Sequence, residues 1–347
     1  MSALATQDAT PYIVKFPLLA SVPPTPQSSL TLRNVFDQHY LPILGKRTDS
    51  TLRDYKALLN DWERLTDDQS VDVINRRFLM SFQSELAEEE YRKGKNSPLV
   101  RRSPATVNKK FRFLKPLVAC CFPKDRFNPE GLGIIDYCRF PDRLEEVQRI
   151  PKIYSAKQIN ALMKATLHKS IMWPKYNTAL TWQVLIVCGW NFGARTYDLF
   201  DLSWKDIDFS YRNGTGAVQF VACKTSKLQR IPMHRLVKAH LRKLRGFQVD
   251  TPDVFPQFAA TNKKTLYRHW KKLLAHAGIE SRRCFEDFRK TCNSTYNDHF
   301  DGVGSYVLGH SLSGVNAINY DNPTNRVFQA VQNLPQPKAF KEILKLN

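Results

Sequence analysis

Acidic residues are scarce in this sequence: 32 Asp and Glu stand against 52 Lys and Arg, which gives a formal net charge of +20 at pH 7. Long apolar runs are also lacking, since the longest clean one, Val184–Trp190, is far shorter than the ~20 residues that a membrane helix requires. The amino terminus has no basic start, and Lys15 and Pro17 interrupt its apolar stretch, which argues against a secretory signal. We expect a soluble, cytoplasmic protein with no membrane partner.

Cysteine patterns typical of disulfides or metal sites are absent as well. The seven cysteines are scattered along the chain and include no Cys-x-x-Cys pair, and the eight histidines show no ligand-like spacing. Neither a disulfide framework nor a zinc ribbon is therefore indicated. We predict a reducing environment and no metal cofactor.

A basic surplus of this size attracts polyanions, and nucleic acid is the abundant polyanion inside cells. A solvated basic surface without function is the alternative. Clustering favours DNA, because helical spacing would place Lys264, Arg268 and Lys271 on adjoining faces that can follow a phosphate backbone. The residues of the two clusters are Arg101, Arg102, Lys109, Lys110, Arg112 and Lys115, and Lys263, Lys264, Arg268, Lys271 and Lys272.

The length predicts two domains, and an apolar fraction of 42% is ample for their cores. Proline and glycine mark the boundaries. The predicted order is an extended arm (1–27), a helical domain (28–125), a linker (126–152), a second domain (153–325) and a tail (326–347).

In the first domain the apolar spacing predicts helices throughout. Their starts are marked by capping residues at Asp49-Ser50-Thr51, Asn75 and Ser103-Pro104. In the second domain Ser155 caps a helix, and the apolar helix Thr178–Phe192 ends at Gly193. Two β-like segments on either side of the polar stretch 224–227 predict a hairpin, and helices follow from His234.

Five short segments of this chain could carry chemistry. An arginine at the head of a helix can present paired N–H donors to an anion, and an acid one turn later can orient it. A lysine on a hairpin can protonate a leaving oxygen. Taken singly, a surface ion pair or a solvated turn would be the better explanation of each. The segments are Gly193-Ala194-Arg195-Thr196-Tyr197-Asp198, Lys224-Thr225-Ser226-Lys227, Phe285-Glu286-Asp287-Phe288-Arg289, Leu308-Gly309-His310 and Asn319-Tyr320-Asp321.

The order Arg, Lys, Arg, His, Tyr resembles the catalytic boxes of the tyrosine recombinases, the phage integrase family. Segment 102–110 resembles the last helix of that family's core-binding domain, so the resemblance spans about Leu30 to Leu334. Two features depart from the pattern. Glu286 stands where the family usually has His, and Tyr320 follows His310 by ten residues where the family usually has nine.

The resemblance implies a mainly α fold with a small β-hairpin or sheet (α+β). An N-terminal helical core-binding (SAM-like) domain would precede a tyrosine-recombinase catalytic domain. Arg195, Arg289 and His310 would stabilise the transition-state phosphate, and Tyr320 would be the nucleophile. The remaining implied roles are Lys224 as general acid with Lys227 as competitor, Glu286 in the base position, and Asp198 in support.

The implied activity is site-specific recombination through a 3′-phosphotyrosyl intermediate, for integration or excision of a mobile element, without metal or ATP. The implied partners are double-stranded DNA and a homo-tetramer on two DNA sites, formed from monomers, and the implied location is the nucleoid. The tail would dock either on a neighbouring subunit or on its own domain. Two alternatives stay open: a catalytically impaired DNA-binding relative, suggested by Glu286 and the longer interval, and a type IB topoisomerase.

Overall fold

The computed structural model describes residues 30–45, 48–92, 94, 96–148, 150–168, 178–248, 251–280, 284–309 and 324–345. The arm predicted over 1–27 lies outside them. The chain forms two compact units, Met1–Gln148 and Arg149–Asn347. In the described part no helix is long and apolar enough to cross a membrane.

The first unit is built from helices whose starts follow the predicted caps. Asn75 and Ser103 each accept a hydrogen bond from the backbone N–H three residues later, and Pro104 occupies the first turn where no N–H is needed. Thr48 caps the helix expected at Asp49. The elements are α1 (Leu32–Asn34), a π-helical stretch (Val35–Tyr40), α2 (Leu41–Ile43), α3 (Asp49–Thr66), a 3-10 turn (Val71–Val73), α4 (Arg76–Glu88) and α5 (Pro104–Cys120).

The expectation of helix throughout this domain is wrong between α4 and α5. Strands β1 (Glu90–Arg92) and β2 (Leu99–Arg101) pair antiparallel there, with Tyr91 opposite Val100. Gly94 and Pro98, between the strands, disfavour a helix across this stretch. The result is a two-stranded hairpin inserted into the helical unit.

Much of the predicted linker packs against α5. Asn108 donates to the Leu144 carbonyl at 2.8 Å and accepts from the Leu144 N–H at 2.9 Å. Ile135 is buried in the core of the first unit, and the Leu132 N–H bonds to the Cys120 carbonyl at 2.8 Å. This part of 126–152 is therefore an ordered strap on the first unit.

An ion-pair cluster joins α3, α5 and the base of the hairpin. Asp61 on α3 is paired with Lys110 at 2.5 Å, Arg102 at 3.1 Å and Arg64 at 2.9 Å. Arg102 and Arg64 also pair with Glu89. Burial acts to raise the pKa of Asp61, but the hydrogen bond from Lys110 and the neighbouring cations outweigh it and lower that pKa.

The second unit surrounds the apolar helix α7, which is buried on almost every side. A three-stranded antiparallel sheet, formed by Ile207–Asp208 (β3), Ala217–Val221 (β4) and Leu228–Pro232 (β5) in that order, contributes to the same hydrophobic core. The elements are α6 (Ala156–Ala165), α7 (Thr178–Phe192), α8 (Thr196–Phe200), a 3-10 turn (Trp204–Asp206), β3 (Ile207–Asp208), α9 (Tyr211–Gly214), β4 (Ala217–Val221), β5 (Leu228–Pro232), α10 (Arg235–Phe247), α11 (Pro256–Ala259), α12 (Lys263–His276), α13 (Asp287–His299), α14 (Val303–Val307), α15 (Thr324–Asn333) and α16 (Lys338–Lys345).

The described part of the tail packs on its own unit. The indole N–H of Trp190 donates to the Pro335 carbonyl at 3.2 Å, and the side-chain amides of Asn191 and Gln336 bond to each other. His240 lies 2.8 Å from the Phe340 carbonyl, and burial lowers the pKa of this histidine to about 4. The tail thereby completes the core of the second unit.

Asp61→Asn should destabilise the first unit by about 3 kcal/mol, because Arg102 and Lys110 would be left largely buried beside a neutral amide. Urea unfolding of the whole chain, followed by circular dichroism, measures the loss. Asp54→Asn is the matched control: its pair with Lys109 is exposed, so we expect a change of about 0.5 kcal/mol. Equal losses in both variants would contradict the importance of the buried cluster.

Candidate active site

The connection between α7 and α8 places Arg195 at the edge of a cleft. Gly193 ends α7 with a φ of +51°, and a Cβ there would lie 2.5 Å from Leu308 and 2.7 Å from Cys292. Only glycine fits both the positive φ and this close approach. Arg195 is the N-cap residue of α8, and 27% of its side chain is exposed.

Asp198 links this arginine to the hairpin of the sheet. Its carboxylate is buried and lies 3.8 Å from the Arg195 guanidinium. The same carboxylate accepts a hydrogen bond from the Cys223 backbone N–H at 2.8 Å. Because Cys223 directly precedes Lys224, one buried carboxylate sets the positions of both the arginine and the start of the lysine turn.

Lys224 and Lys227 both lie in the turn between β4 and β5. The Ser226 N–H closes the turn on the Ala222 carbonyl at 2.8 Å, and Ser226 adopts a φ of +52°. Both lysines are exposed. Lys224 lines the cleft that contains Arg195, whereas Lys227 is not among the described residues lining it.

Arg289, on α13, holds together two segments that are distant in sequence. Its guanidinium donates to the Gly193 carbonyl at 2.9 Å and to the Leu308 carbonyl at 2.9 Å. Burial, and then the charge of Arg195, lower its pKa. Over the described residues no carboxylate lies within ion-pair distance of Arg289, so its charge is available to an anion.

These side chains meet in an open cleft of about 480 Å³. Four basic side chains and one carboxylate line it, so an anion is the ligand that its charge favours. The lining residues are Ala194, Arg195, Thr196, Tyr197, Lys224, Glu286, Arg289, Lys290, Asn293 and Leu308.

Glu286 is exposed and is the carboxylate that lines this cleft. No cation among the described residues lies within 4.0 Å of it. On its other side it borders an aromatic pocket, where burial and then the charge of Glu286 raise the pKa of Tyr267. Within the described residues Glu286 therefore forms no ion pair with Arg195 or Arg289.

His310 and Tyr320 lie outside the described residues. The backbone leading to them is placed by Arg289, through Leu308, and by Gly309 with its φ of +63°. A Cβ at Gly309 would collide with the buried Gln229 side chain of β5. The sequence analysis missed the role of Gln229, which supports this segment by packing against Gly309. The signal for its inward position is that Gln229 is buried between two exposed neighbours on β5.

The basic residues predicted to bind DNA fall into two groups. Arg102, Lys109 and Lys110 are engaged in ion pairs with Glu89, Asp61 and Asp54, and only 9% of the Arg102 side chain is exposed. In the structure intramolecular carboxylates share their charge, and the contact of these three residues with DNA stays a prediction. The exposed group comprises Arg101 and Arg112 in the first unit and Lys264, Arg268, Lys271 and Lys272 on α12.

No group of three or more histidine, cysteine or acidic side chains suited to a metal ion occurs within the described ranges. The absence of a metal from the reaction stays a prediction.

Comparison with known proteins gives a structural result. No protein-family model matches the chain, and no curated protein matches it. Among solved structures, the Tn1549 transposon integrase in complex with circular intermediate DNA has 16% identity and a TM-score of 0.58, over 86% of this chain and 98% of that one. A lambda integrase tetramer bound to a Holliday junction has 15% identity and a TM-score of 0.57, over 85% and 78%. The XerH site-specific recombinase bound to difH has 13% identity and a TM-score of 0.54, over 82% and 77%.

The chain has the fold of these integrases and recombinases. The predicted fold class, mainly α with a small sheet, is confirmed by this likeness and by the helices and strands. At these identities the likeness concerns the fold, and the roles of individual residues rest on the geometry of the cleft.

Gly309→Ala should lower the free energy of unfolding by about 1–2 kcal/mol from the left-handed backbone alone, and by more because Gln229 blocks the new methyl group. A double-mutant cycle with Gln229→Ala separates the two terms. We expect the double variant to regain part of the loss, as measured by urea unfolding. Strict additivity of the two substitutions would show that the side chains do not oppose each other.

Proposed function

We propose that this chain is a site-specific DNA recombinase that cuts and rejoins strands through a covalent tyrosine–DNA link. The observation that carries the proposal is the convergence of Arg195, Arg289 and Lys224 in one cleft. Solved structures of the same fold contain a Holliday junction, a core site or a circular DNA intermediate. These neighbours support duplex DNA as the ligand of the cleft.

In the proposed reaction the Tyr320 hydroxyl oxygen attacks a backbone phosphorus. A bond from phosphorus to tyrosine forms while the bond to the 5′ oxygen breaks, which leaves a 3′-phosphotyrosine. Glu286 takes the tyrosine proton, and Lys224 gives a proton to the departing 5′ oxygen. Attack by a 5′-hydroxyl of another strand reverses these steps, so rejoining needs no ATP.

The arginines suit the charge that develops in this step. The pentavalent phosphate carries extra negative charge, and fixed cationic donors stabilise it without rearrangement of solvent. Arg289 is held by two carbonyls and Arg195 by Asp198, so both can be preorganised before DNA binds. With His310 as a further donor, no metal ion is required.

The wider proposal follows from this chemistry. Four copies would act on two DNA sites to exchange strands, and free chains would be monomers. The exposed Arg101, Arg112, Lys264, Arg268 and Lys271 would contact DNA phosphates. Integration or excision of a mobile element, carried out on the nucleoid in the cytoplasm, is the role that we assign.

A second candidate function is DNA binding without cleavage. Glu286 favours it, because a carboxylate on the wall of the cleft repels the phosphate to be cleaved and so slows cleavage, while contacts to other phosphates of the duplex would still bind DNA. A type IB topoisomerase would use the same nucleophilic chemistry but would relax supercoiled DNA without a specific site. The first experiment below separates these functions.

Wild-type chain should form a covalent adduct with nicked suicide duplexes from the DNA that flanks its gene, in the presence of EDTA. Tyr320→Phe should bind the same DNA without adduct, because the nucleophilic oxygen is gone. Denaturing gels report the adduct, and Tyr306→Phe is the matched control that should retain it. An adduct in Tyr320→Phe would show that another residue is the nucleophile. A retarded complex without adduct in wild type would favour the DNA-binding relative. Relaxation of a supercoiled plasmid without a specific site would favour the topoisomerase.

Lys224→Ala should slow cleavage by about 10²–10⁴-fold, the usual contribution of a general acid. A substrate with sulfur in place of the bridging 5′ oxygen should restore the rate, because a thiolate leaves without a proton. Lys227→Ala, the matched control in the same turn, should cleave both substrates as wild type does. If Lys227→Ala is the slow variant and the sulfur substrate restores its rate, Lys227 and not Lys224 is the general acid.

A further inference from the structure

The hairpin of the first unit, β1–β2, presents an exposed face that no part of the proposed reaction uses. In its register, Glu90 lies opposite Arg101 and Arg92 lies opposite Leu99. These four side chains, which we call the ribbon face, are exposed; 66% of the Arg101 side chain and 52% of Leu99 are accessible. Arg101 and Glu90 form an exposed ion pair at 3.6 Å, which a phosphate would have to compete with. Tyr91 and Val100 alternate with them and are half-buried.

The base of the hairpin is fixed to the helices of its unit. Glu89 directly precedes β1 and Arg102 directly follows β2, and the two pair with each other. Arg102 also pairs with Asp61 on α3 and lies 4.9 Å above the Tyr91 ring. The ion-pair cluster therefore holds the inner side of the hairpin and leaves the ribbon face uncovered.

The net positive charge of the hairpin favours a polyanion as its ligand. Within 90–101 the sequence carries Arg92, Lys93, Lys95 and Arg101 against one acidic residue, Glu90. On the ribbon face Leu99 lies opposite Arg92 and two residues before Arg101 on the same strand, so an apolar side chain neighbours both charges. Arg92 also donates to the Ser97 carbonyl at 3.1 Å, which steadies the turn.

The shape of the hairpin suits a groove of duplex DNA. Paired strands lie about 4.8 Å apart, and the major groove, about 12 Å wide, admits a two-stranded β-ribbon. Arginines on the two strands of a ribbon can contact the phosphates along the groove, and an apolar side chain beside them can meet a thymine methyl group.

We infer that the β1–β2 hairpin is a DNA-contacting ribbon, with Arg92 and Arg101 on the phosphates that flank a groove. The inference rests on the proposed function only in taking duplex DNA as the ligand. It does not depend on cleavage, so the two can fail separately.

The test uses the full-length chain with Tyr320→Phe, so that binding is measured without covalent capture. Fluorescence anisotropy follows binding to a labelled 30-base-pair duplex of random sequence over a range of salt concentrations. Phosphate contacts are independent of sequence, so the target site is not needed. Arg92→Ala/Arg101→Ala should weaken binding by at least tenfold and reduce the slope of log K against log salt by about 1.8, since each lost phosphate contact removes about 0.9.

Two further variants guard against a misfolded hairpin. Arg101→Gln alone spares the Arg92 bond to Ser97 and should lower the slope by about 0.9. Glu90→Gln removes the acidic residue of the ribbon face and should tighten binding, an effect opposite in sign that damage to the fold cannot produce. Arg53→Ala/Arg139→Ala removes two exposed arginines elsewhere on the unit and is the matched control for charge.

An unchanged affinity and slope in Arg92→Ala/Arg101→Ala would overturn the inference, as would an equal loss in the control. Absence of any duplex binding by the parent chain would overturn it too. If wild type forms no covalent adduct but the hairpin variants lose affinity for DNA, the proposed recombinase activity is rejected and the DNA-contacting ribbon is retained. If wild type forms the adduct and the hairpin variants bind DNA as tightly as the parent chain, the recombinase is retained and the DNA-contacting ribbon is rejected.

Discussion

The two hydrogen bonds of Arg289 are the interaction on which the candidate site depends. The Gly193 carbonyl belongs to the end of α7, two residues before Arg195, and the Leu308 carbonyl precedes the Gly309-His310 segment. One guanidinium therefore sets the spacing between three stretches of chain: Gly193 lies 96 residues before Arg289, and Leu308 lies 19 residues after it. A lysine, with a single charged nitrogen on a flexible stem, could not hold both carbonyls in this planar arrangement.

Features of the fold that depend on neighbouring residues were predictable from the sequence. Asn75, Ser103 with Pro104, and Ser155 are helix starts because their side chains satisfy nearby backbone N–H groups, which is a local effect. The end of α7 at Gly193 is local in the same sense. The approach of Arg195, Lys224 and Arg289 to one another was expected only from the order of the short motifs along the chain. No rule about neighbouring residues predicts it.

Features that depend on contacts distant in sequence were missed. Arg102 and Lys110 look like free cations in a basic stretch, and only the fold brings Asp61 and Glu89 to them. The contact between Gln229 and Gly309 likewise joins a strand to a turn far along the chain. The β1–β2 hairpin is a different case, since the glycine and proline between two short apolar–charged alternations could have indicated it.

The hydrogen bond from Cys223 to Asp198 has a mechanical consequence for the lysine turn. If the turn swings away from the cleft, a buried carboxylate loses its backbone donor and remains unsolvated, which is costly. This cost opposes any movement that separates Cys223 from Asp198, and the same carboxylate faces Arg195. The buried carboxylate thus couples the position of Arg195 to that of the turn that carries Lys224.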